Sequence, residues 1–274
     1  MKRIEFSKEQ IEQIRNLYEN EGWAMWKIGE RFNVSRSVIT RIFKENNIQT
    51  NKDNHKYKAD YRKFECIDSE EKAYWLGFIA ADGCNYEREQ NATIVINLAR
   101  KDREQLEKFK KFMSSNVQIK DFVQNAGFSN NSEMSKIVFN SKEMSHDLTL
   151  AGVPPKKSLI LKPPTINEKY YFSYILGYFD GDGSIFQNSN GEFGICIVGT
   201  KEILEWINSL LNISSHLEKR DQTSLSNNYY IRCGGYEKPY QIMKKLYDNC
   251  PVHLERKFNI YKNLETVVLS RNTK

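Results

Sequence analysis

Apolar and polar positions divide this chain into a short helical beginning and a longer mixed region. In the first fifty residues the apolar positions recur with the helical period in three segments. The first segment opens at Ser7 with the capping-box pattern S-x-x-Q, the second covers residues 23–33, and the third follows Ser35, a favourable N-cap. The pattern therefore predicts three short helices.

The third predicted helix has two chemically distinct faces. Its apolar face is formed by Val38, Ile39, Ile42 and Phe43, and its polar face by Arg36, Ser37, Thr40, Arg41 and Lys44. The run IGERFNVSRSVITRIFK resembles the helix-turn-helix domains of resolvases and transposases. The resemblance implies an all-α DNA-binding domain over residues 1–50, with this polar face in the major groove. A small helical bundle with a merely solvated polar face is the alternative.

Residues 51–66 are predicted to connect this domain to the rest of the chain. Between residues 50 and 64 there are few aliphatic side chains, and five Lys or Arg stand against two Asp. This composition indicates a basic linker or extended arm that follows a phosphate backbone. A solvated linker without DNA contacts is the alternative.

The longer region repeats itself with a spacing of a hundred residues. An apolar helical segment ends on Asp-Gly in YWLGFIAADG (residues 74–83) and again in YILGYFDGDG (residues 174–183). Each copy is followed by two strand-like stretches, a helix, two more strand-like stretches and a closing helix. The sequence therefore predicts an α+β fold of two pseudo-symmetric αββαββα halves, residues 67–162 and 163–274.

Small residues four positions apart mark one face of each repeated helix. They are Gly77 and Ala81 in the first copy and Gly177 and Gly181 in the second. Such residues let two helices cross with their backbones almost touching, so that Asp82 and Asp182 become neighbours. Two carboxylates at two helix C-termini repel each other, and Mg²⁺ or another divalent cation removes that cost. Such a site suits phosphodiester hydrolysis.

The motifs WLGFIAADG and ILGYFDGDG, with their matching downstream elements, resemble the paired motifs of single-chain LAGLIDADG homing endonucleases over about residues 70–270. The resemblance implies a DNA-binding saddle built from both sheets and metal-dependent cleavage of both strands at a specific site. It makes Asp82 and Asp182 the catalytic, metal-binding acids. The sixth motif position, often acidic in the family, holds Ala80 in one copy and Asp180 in the other.

The resemblance also implies a catalytic basic residue near the end of each half. Lys157 and Lys257 match best, and the adjacent Lys156 and Arg256 remain alternatives. A lysine at this place neutralises charge that develops on the phosphate or helps to polarise the attacking water.

The positive net charge of the chain favours a polyanionic partner, and we predict that this partner is double-stranded DNA. Of a net charge of +6, residues 1–63 contribute 14 Lys or Arg against 9 Asp or Glu, and the remaining chain 27 against 26. A saddle with so little net charge needs a local basic surface. We therefore expect a cluster on the concave side, formed by Lys120, Lys136, Lys219, Arg220 and Arg232.

Composition excludes several of the remaining classes of protein. The mean hydropathy is -0.66, and no apolar run reaches the roughly 18 residues of a membrane span. Five scattered cysteines without a C-x-x-C pair argue against a zinc site. We expect a monomeric, cytoplasmic protein of a bacterial or phage-infected cell. A non-cleaving DNA-binding regulator and an RNA-binding splicing helper remain alternatives, and the intact Asp-Gly pairs favour the nuclease.

Overall fold

The computed structural model describes residues 4–21, 23–48, 57–89, 91–125, 131–221, 226–248 and 251–272. The chain forms two compact units, Met1–Tyr57 and Lys58–Lys274. No helix in these described ranges is both long and apolar enough to cross a membrane.

The first unit contains the three predicted helices, α1 (Lys8–Glu19), α2 (Met25–Arg31) and α3 (Arg36–Glu45). At the start of α1 the predicted capping box forms, because the Ser7 hydroxyl accepts from the Gln10 amide and the Gln10 side chain accepts from the Ser7 amide. Ser35 precedes α3 as predicted, but its hydroxyl contacts the Ser37 hydroxyl and caps no amide. The three helices share one apolar core, which includes Ile14, Ile28, Ile39 and Phe43.

The second unit repeats one order of elements. The first half consists of α4 (Glu70–Asp82), β1 (Gly83–Glu87), β2 (Ala92–Ala99), α5 (Arg103–Phe112), β3 (Lys120–Gln124), β4 (Ser132–Asn140) and α6 (Lys142–Leu150). The second half consists of α7 (Tyr171–Asp182), β5 (Gly183–Gln187), β6 (Phe193–Gly199), α8 (Lys201–Leu211), β7 (Glu218–Lys219), β8 (Tyr229–Gly235) and α9 (Glu237–Tyr247). A further helix, α10 (Glu255–Asn272), follows α9; the sequence pattern did not predict it.

Each half builds one antiparallel four-stranded sheet, in the order β1-β2-β4-β3 and β5-β6-β8-β7. The predicted α+β class with two αββαββα halves is therefore confirmed, with α10 as an addition. In each sheet one face is buried, with Ile94, Ile96 and Phe139 in the first half and Ile195, Ile197 and Ile231 in the second. The opposite face of each sheet carries the alternate residues of the same strands.

Helices α4 and α7 are buried on all sides. Eight consecutive residues of each helix, 73–80 and 173–180, have almost no contact with solvent. One side of each helix packs on the other helix and the remaining sides pack within the second unit, which explains why neither sequence shows a polar stripe. An aromatic cluster of Trp75, Phe109 and Phe112 fills the first core.

Part of the predicted linker is packed. Residues 51–56 lie outside the described residues, but from Lys58 onward the backbone is bound to the turn after α5. The Lys58 amide donates to the Asn116 side chain, the Asp60 amide donates to the Met113 carbonyl, and Phe64 is buried against Phe112. Residues 58–64 therefore behave as part of the second unit.

Candidate active site

The site lies where α4 and α7 cross. A Cβ atom on Gly77 would be 2.0 Å from the carbonyl oxygen of Tyr174, and one on Gly177 would be 1.9 Å from the carbonyl oxygen of Tyr74. No side chain fits at either position, so the two glycines are what lets the backbones meet. The same face continues with Ala81, whose Cβ would be 2.3 Å from a Cβ on Gly181.

This crossing brings the two predicted acids together. A Cβ on Gly181 would lie 3.3 Å from the Asp82 carboxyl carbon, so Asp82 stands beside the last turn of α7. Both helices end at these acids, and β1 and β5 begin at the glycines that follow. Asp82 is half-buried and Asp182 is exposed.

Both carboxylates bind protons more readily than an isolated Asp. The pKa of Asp82 is raised to about 6, first by burial and then by the negative charge of Asp182, while Lys257 and Lys157 oppose the shift. Burial also raises the pKa of Asp182, against the opposing charges of Lys157 and Lys257. Asp182 keeps an exposed side, but the atoms packed around its carboxylate still weaken its hydration. A cation placed between the two acids would therefore be stabilised.

Lys157 lies beside the carboxylates. Its side chain is only 7% exposed, and its Nζ donates to the Ala81 carbonyl at 2.9 Å. Burial lowers the pKa of Lys157, and the nearby carboxylates, led by Asp182, oppose that shift. The preceding Lys156 is exposed and has a left-handed backbone, φ 57°, which turns the chain so that Lys157 points inward.

Lys257 occupies the equivalent position in the second half but donates to more backbone carbonyls than Lys157 does. It is 2% exposed, and its Nζ donates to the carbonyls of Phe179, Asp180 and Gly183 at 2.7, 2.8 and 2.6 Å. Burial lowers its pKa to about 8, although the nearby acids, led by Asp180, oppose the shift. Lys257 thus caps the C-terminal end of α7.

The alternative basic residues are placed differently. Arg256 forms a two-bond ion pair with Asp102, with both distances 3.1 Å, and Lys156 is exposed. Lys157 and Lys257 are therefore the two lysines whose charges act on both carboxylates.

Asp180 forms a buried network that the sequence did not predict. Its Oδ2 accepts from the Tyr74 hydroxyl at 2.6 Å and from the Leu254 amide at 2.7 Å, and the Gln105 side chain donates to the Tyr74 hydroxyl at 2.6 Å. Burial raises the pKa of Asp180 to about 6 against the opposing charge of Lys257. The difference between Ala80 and Asp180 was the one signal of this network in the sequence.

The pseudo-symmetric counterpart of this network is incomplete. In the internal repeat, Tyr174 is equivalent to Tyr74, and Ala80 is equivalent to the acceptor Asp180. Alanine has no side-chain group that can accept a hydrogen bond. Accordingly, the buried Tyr174 hydroxyl has no hydrogen-bond partner among the residues that the structure describes. The two halves therefore differ in chemistry close to the crossing.

The predicted DNA-contacting residues of α3 are not all equally exposed to solvent. Arg36, Ser37, Thr40 and Lys44 are exposed along one side of the helix. Arg41 is half-buried and donates to the Ile4 carbonyl at 2.7 Å, so its guanidinium is partly engaged within the first unit.

The predicted cluster of basic residues is divided between the sheets. In the first sheet Lys120 lies opposite Lys136, so both stand on the face away from the core. In the second sheet Arg232 is on the corresponding face, paired with Glu218 at 3.2 Å, and Arg220 is close enough for its charge to lower the pKa of Asp182.

The prediction for Lys219 was wrong. It lies opposite Tyr229, and strand alternation places both on the same side as the buried Ile231. Lys219 therefore shares no face with Arg232. A one-residue difference in register reverses the side of a strand residue, and so short a strand as β7 gives no pattern from which to read it.

The donor set fits a magnesium-type ion that also has a phosphate ligand. The described ranges contain no group of three or more His, Cys, Asp or Glu placed to hold a metal by themselves. Mg²⁺, however, is commonly held by one or two carboxylates together with substrate phosphate oxygens and water. Asp82 and Asp182, mutually repelling and open on one side, match that requirement.

Comparison with known proteins identifies the fold. No family model and no curated protein matches the sequence. Among solved structures, the LAGLIDADG homing endonuclease I-GzeII in complex with its DNA target has a TM-score of 0.50 at 9% identity, over 73% of this chain and 91% of that one. A lysine-to-alanine variant of I-SmaMI has a TM-score of 0.50 at 15% identity, over 74% of this chain and 92% of that one.

The fold and the crossing helices thus define a protein of the two-half LAGLIDADG architecture. This chain has the LAGLIDADG homing endonuclease fold in its single-chain form, preceded by a three-helix unit.

Proposed function

We propose that this chain is a LAGLIDADG-type endonuclease that cleaves both strands of duplex DNA at a specific site. The observation that carries the proposal is the pair Asp82 and Asp182, held together where α4 and α7 cross. A protein that only bound DNA would have no use for two adjacent carboxylates, because they repel both each other and the phosphates.

Asp82 and Asp182 would hold Mg²⁺ or a similar divalent ion. When bound there, such an ion supplies a Lewis acid that activates water and stabilises the leaving oxygen. The desolvation that raises both pKa values means that each acid gains from an added positive charge. Phosphate oxygens of the DNA would complete the set of ligands, so metal and substrate would bind together.

Lys157 and Lys257 would have unequal parts in the reaction. The Lys157 ammonium has three protons and donates to one carbonyl, so it can also donate to a phosphate oxygen as charge develops there. Lys257 donates to three carbonyls and mainly fixes the end of α7, and hence Asp182. It would therefore act on the reaction through position and charge.

The N-terminal unit would add contacts outside the cleaved segment. Arg36, Ser37, Thr40 and Lys44 are the exposed residues of α3, and they would face DNA in the manner of a helix-turn-helix domain. Residues 1–50 would form this domain and residues 51–57 the connection, while residues 58–66 of the predicted linker would join the two halves, 67–162 and 163–274. One chain supplies both acids, so a monomer would suffice.

A selection followed by cleavage tests the proposal. Duplexes bound in Ca²⁺ are selected from a library of genomic fragments, Mg²⁺ is then added, and breaks are mapped on both strands. Paired nicks a few bases apart at one sequence are the expected result. Tight, specific capture without breaks would instead establish a DNA-binding regulator on this fold.

Two matched variants test the site itself. Asp82→Asn and Asp182→Asn should each retain DNA affinity but abolish double-strand cleavage, because asparagine keeps the shape and removes the charge. Lys8→Ala, an exposed residue of α1, is the control that should change neither property. Full cleavage by both asparagine variants would refute the assignment of the metal site.

A further inference from the structure

The two sheets present different chemistry at equivalent places on their outer faces. Strand pairing aligns Tyr86, Thr93 and Asn140 in one row of the first sheet. The same pairing aligns Phe186, Gly194 and Gly234 in the related row of the second sheet. Tyr86 lies three residues after Gly83, the motif glycine of the first half, and Phe186 lies three residues after Gly183, that of the second. The two rows therefore occupy equivalent places in the two sheets.

The row in the first sheet is polar. The Thr93 hydroxyl donates to the Asn140 side-chain oxygen at 2.9 Å. A cavity of about 550 Å³ opens beside it, lined by Tyr86, Arg88, Asn91, Thr93 and Asn140. Hydroxyl, amide and guanidinium groups of this kind recognise base edges by hydrogen bonds.

The row in the second sheet has no polar side chain. Phe186 is 40% exposed, and its ring lies over Gly194, where a Cβ would be 2.6 Å from a ring carbon. A Cβ on Gly234 would meet only the Phe193 carbonyl oxygen, at 3.6 Å. The Phe186 ring therefore covers Gly194, while the neighbouring Gly234 is uncovered. The ring and the uncovered glycine form a shallow apolar depression that another molecule can enter.

We propose that Phe186 is a specificity-determining residue that selects thymine in the half-site bound by residues 163–274. The 5-methyl group of thymine is the one apolar feature on the major-groove edges of the four bases, and Phe is a side chain that contacts it. Glycines in a strand allow a ligand to approach the backbone closely, as this contact needs. The first sheet instead reads its half-site by hydrogen bonds at the row of Tyr86, Thr93 and Asn140.

This inference rests on the proposed function, and its test starts from a duplex selected in Ca²⁺. Each thymine of that duplex is replaced in turn by deoxyuridine, which removes the methyl group and preserves every hydrogen bond. For the unmodified protein one replacement should weaken binding about fourfold, the factor that corresponds to about 0.8 kcal/mol for one buried carbon. Thymines at the mirror-related position of the other half-site should show no such effect.

Two variants assign the effect to this side chain. Phe186→Ala should bind the thymine and deoxyuridine duplexes equally, whereas Phe186→Leu, which keeps an apolar contact, should retain part of the difference. Phe122→Ala makes the same change on the outer face of the first sheet and should keep the full fourfold difference. Urea denaturation of each variant checks that the fold is intact.

The outcomes separate this inference from the function on which it rests. A methyl effect that persists in Phe186→Ala, or DNA binding without any methyl effect, would overturn the role of Phe186 and leave the endonuclease proposal standing. A chain that captures no duplex at all would overturn both.

Discussion

Two tyrosines related by the internal repeat should respond very differently to the loss of one oxygen atom. Tyr74→Phe removes a hydroxyl that donates to Asp180 and accepts from Gln105, both at 2.6 Å. Tyr174→Phe removes a buried hydroxyl that has no partner among the described residues. Both substitutions keep the ring and its packing, so the hydrogen bonds are what differs.

The expected cost follows from the groups left behind. A hydrogen bond to a charged group contributes about 1.5–3 kcal/mol, and a buried donor left unsatisfied costs about 1–3 kcal/mol. Since Asp180 keeps the Leu254 amide and Lys257 nearby, part of the loss is recovered. We expect Tyr74→Phe to lower the free energy of unfolding by about 3 kcal/mol, and Tyr174→Phe to change it by less than about 0.5 kcal/mol or to raise it.

The assay is urea denaturation of the full chain at pH 7.5, followed by circular dichroism and tryptophan fluorescence. At that pH, above the pKa of about 6, Asp180 is mostly ionised and its bond with Tyr74 is charge-assisted. Equal losses in the two variants would refute the reasoning, since the network would then carry no more stability than an unpaired hydroxyl.

Three other predictions follow from the crossing, the acids and the first unit. Gly177→Ala should destabilise the chain by at least about 2 kcal/mol, because overpacking costs about 3 kcal/mol or more where a backbone atom blocks the new Cβ, and the gain in helix propensity returns about 1; Gly234→Ala, with an open environment, should cost about 0.5 kcal/mol or less. Because the pKa of Asp82 is raised to about 6, the contribution of this acid to stability without metal is fully present below about pH 4 and is lost as the pH rises through about 6. Asp82→Asn should therefore be more stable than wild type by about 1–2 kcal/mol at pH 7 but not at pH 4, as denaturation at both values would show; no difference between the two values would contradict the burial of this acid. Arg36→Ala should weaken DNA binding and reduce the slope of the logarithm of affinity against the logarithm of salt concentration by about 1, whereas Lys8→Ala should leave both unchanged. Equal slopes in the wild type and both variants would argue against a phosphate contact by Arg36.

Local sequence patterns predicted the elements whose cause is local. The capping box at Ser7, the alternating strands and the repeated αββαββα order each depend on residues a few positions apart. The small residues Gly77 and Gly177 also marked the helix crossing, because a backbone contact of that kind excludes nearly every other residue type. The repeat was thus readable from one sequence.

Features that depend on distant contacts were not predictable. The three carbonyls bound by Lys257 come from α7 and the start of β5, more than seventy residues earlier. Tyr74 meets Asp180 only when the halves are assembled. The α10 helix was not predicted, because its first residues depend on such distant partners as Asp102, which is bound to Arg256.

The burial of residues 73–80 of α4 has a consequence for synthesis on the ribosome. Residues 73–80 are apolar on the side that contacts α7, yet α7 ends only at Asp182, a hundred residues later. At translation rates of about 5–20 residues per second, that side of α4 waits about 5–20 seconds for its partner. A nascent chain that stalls before residue 163 would expose this apolar surface, so the duplicated architecture makes the first half dependent on uninterrupted translation of the second.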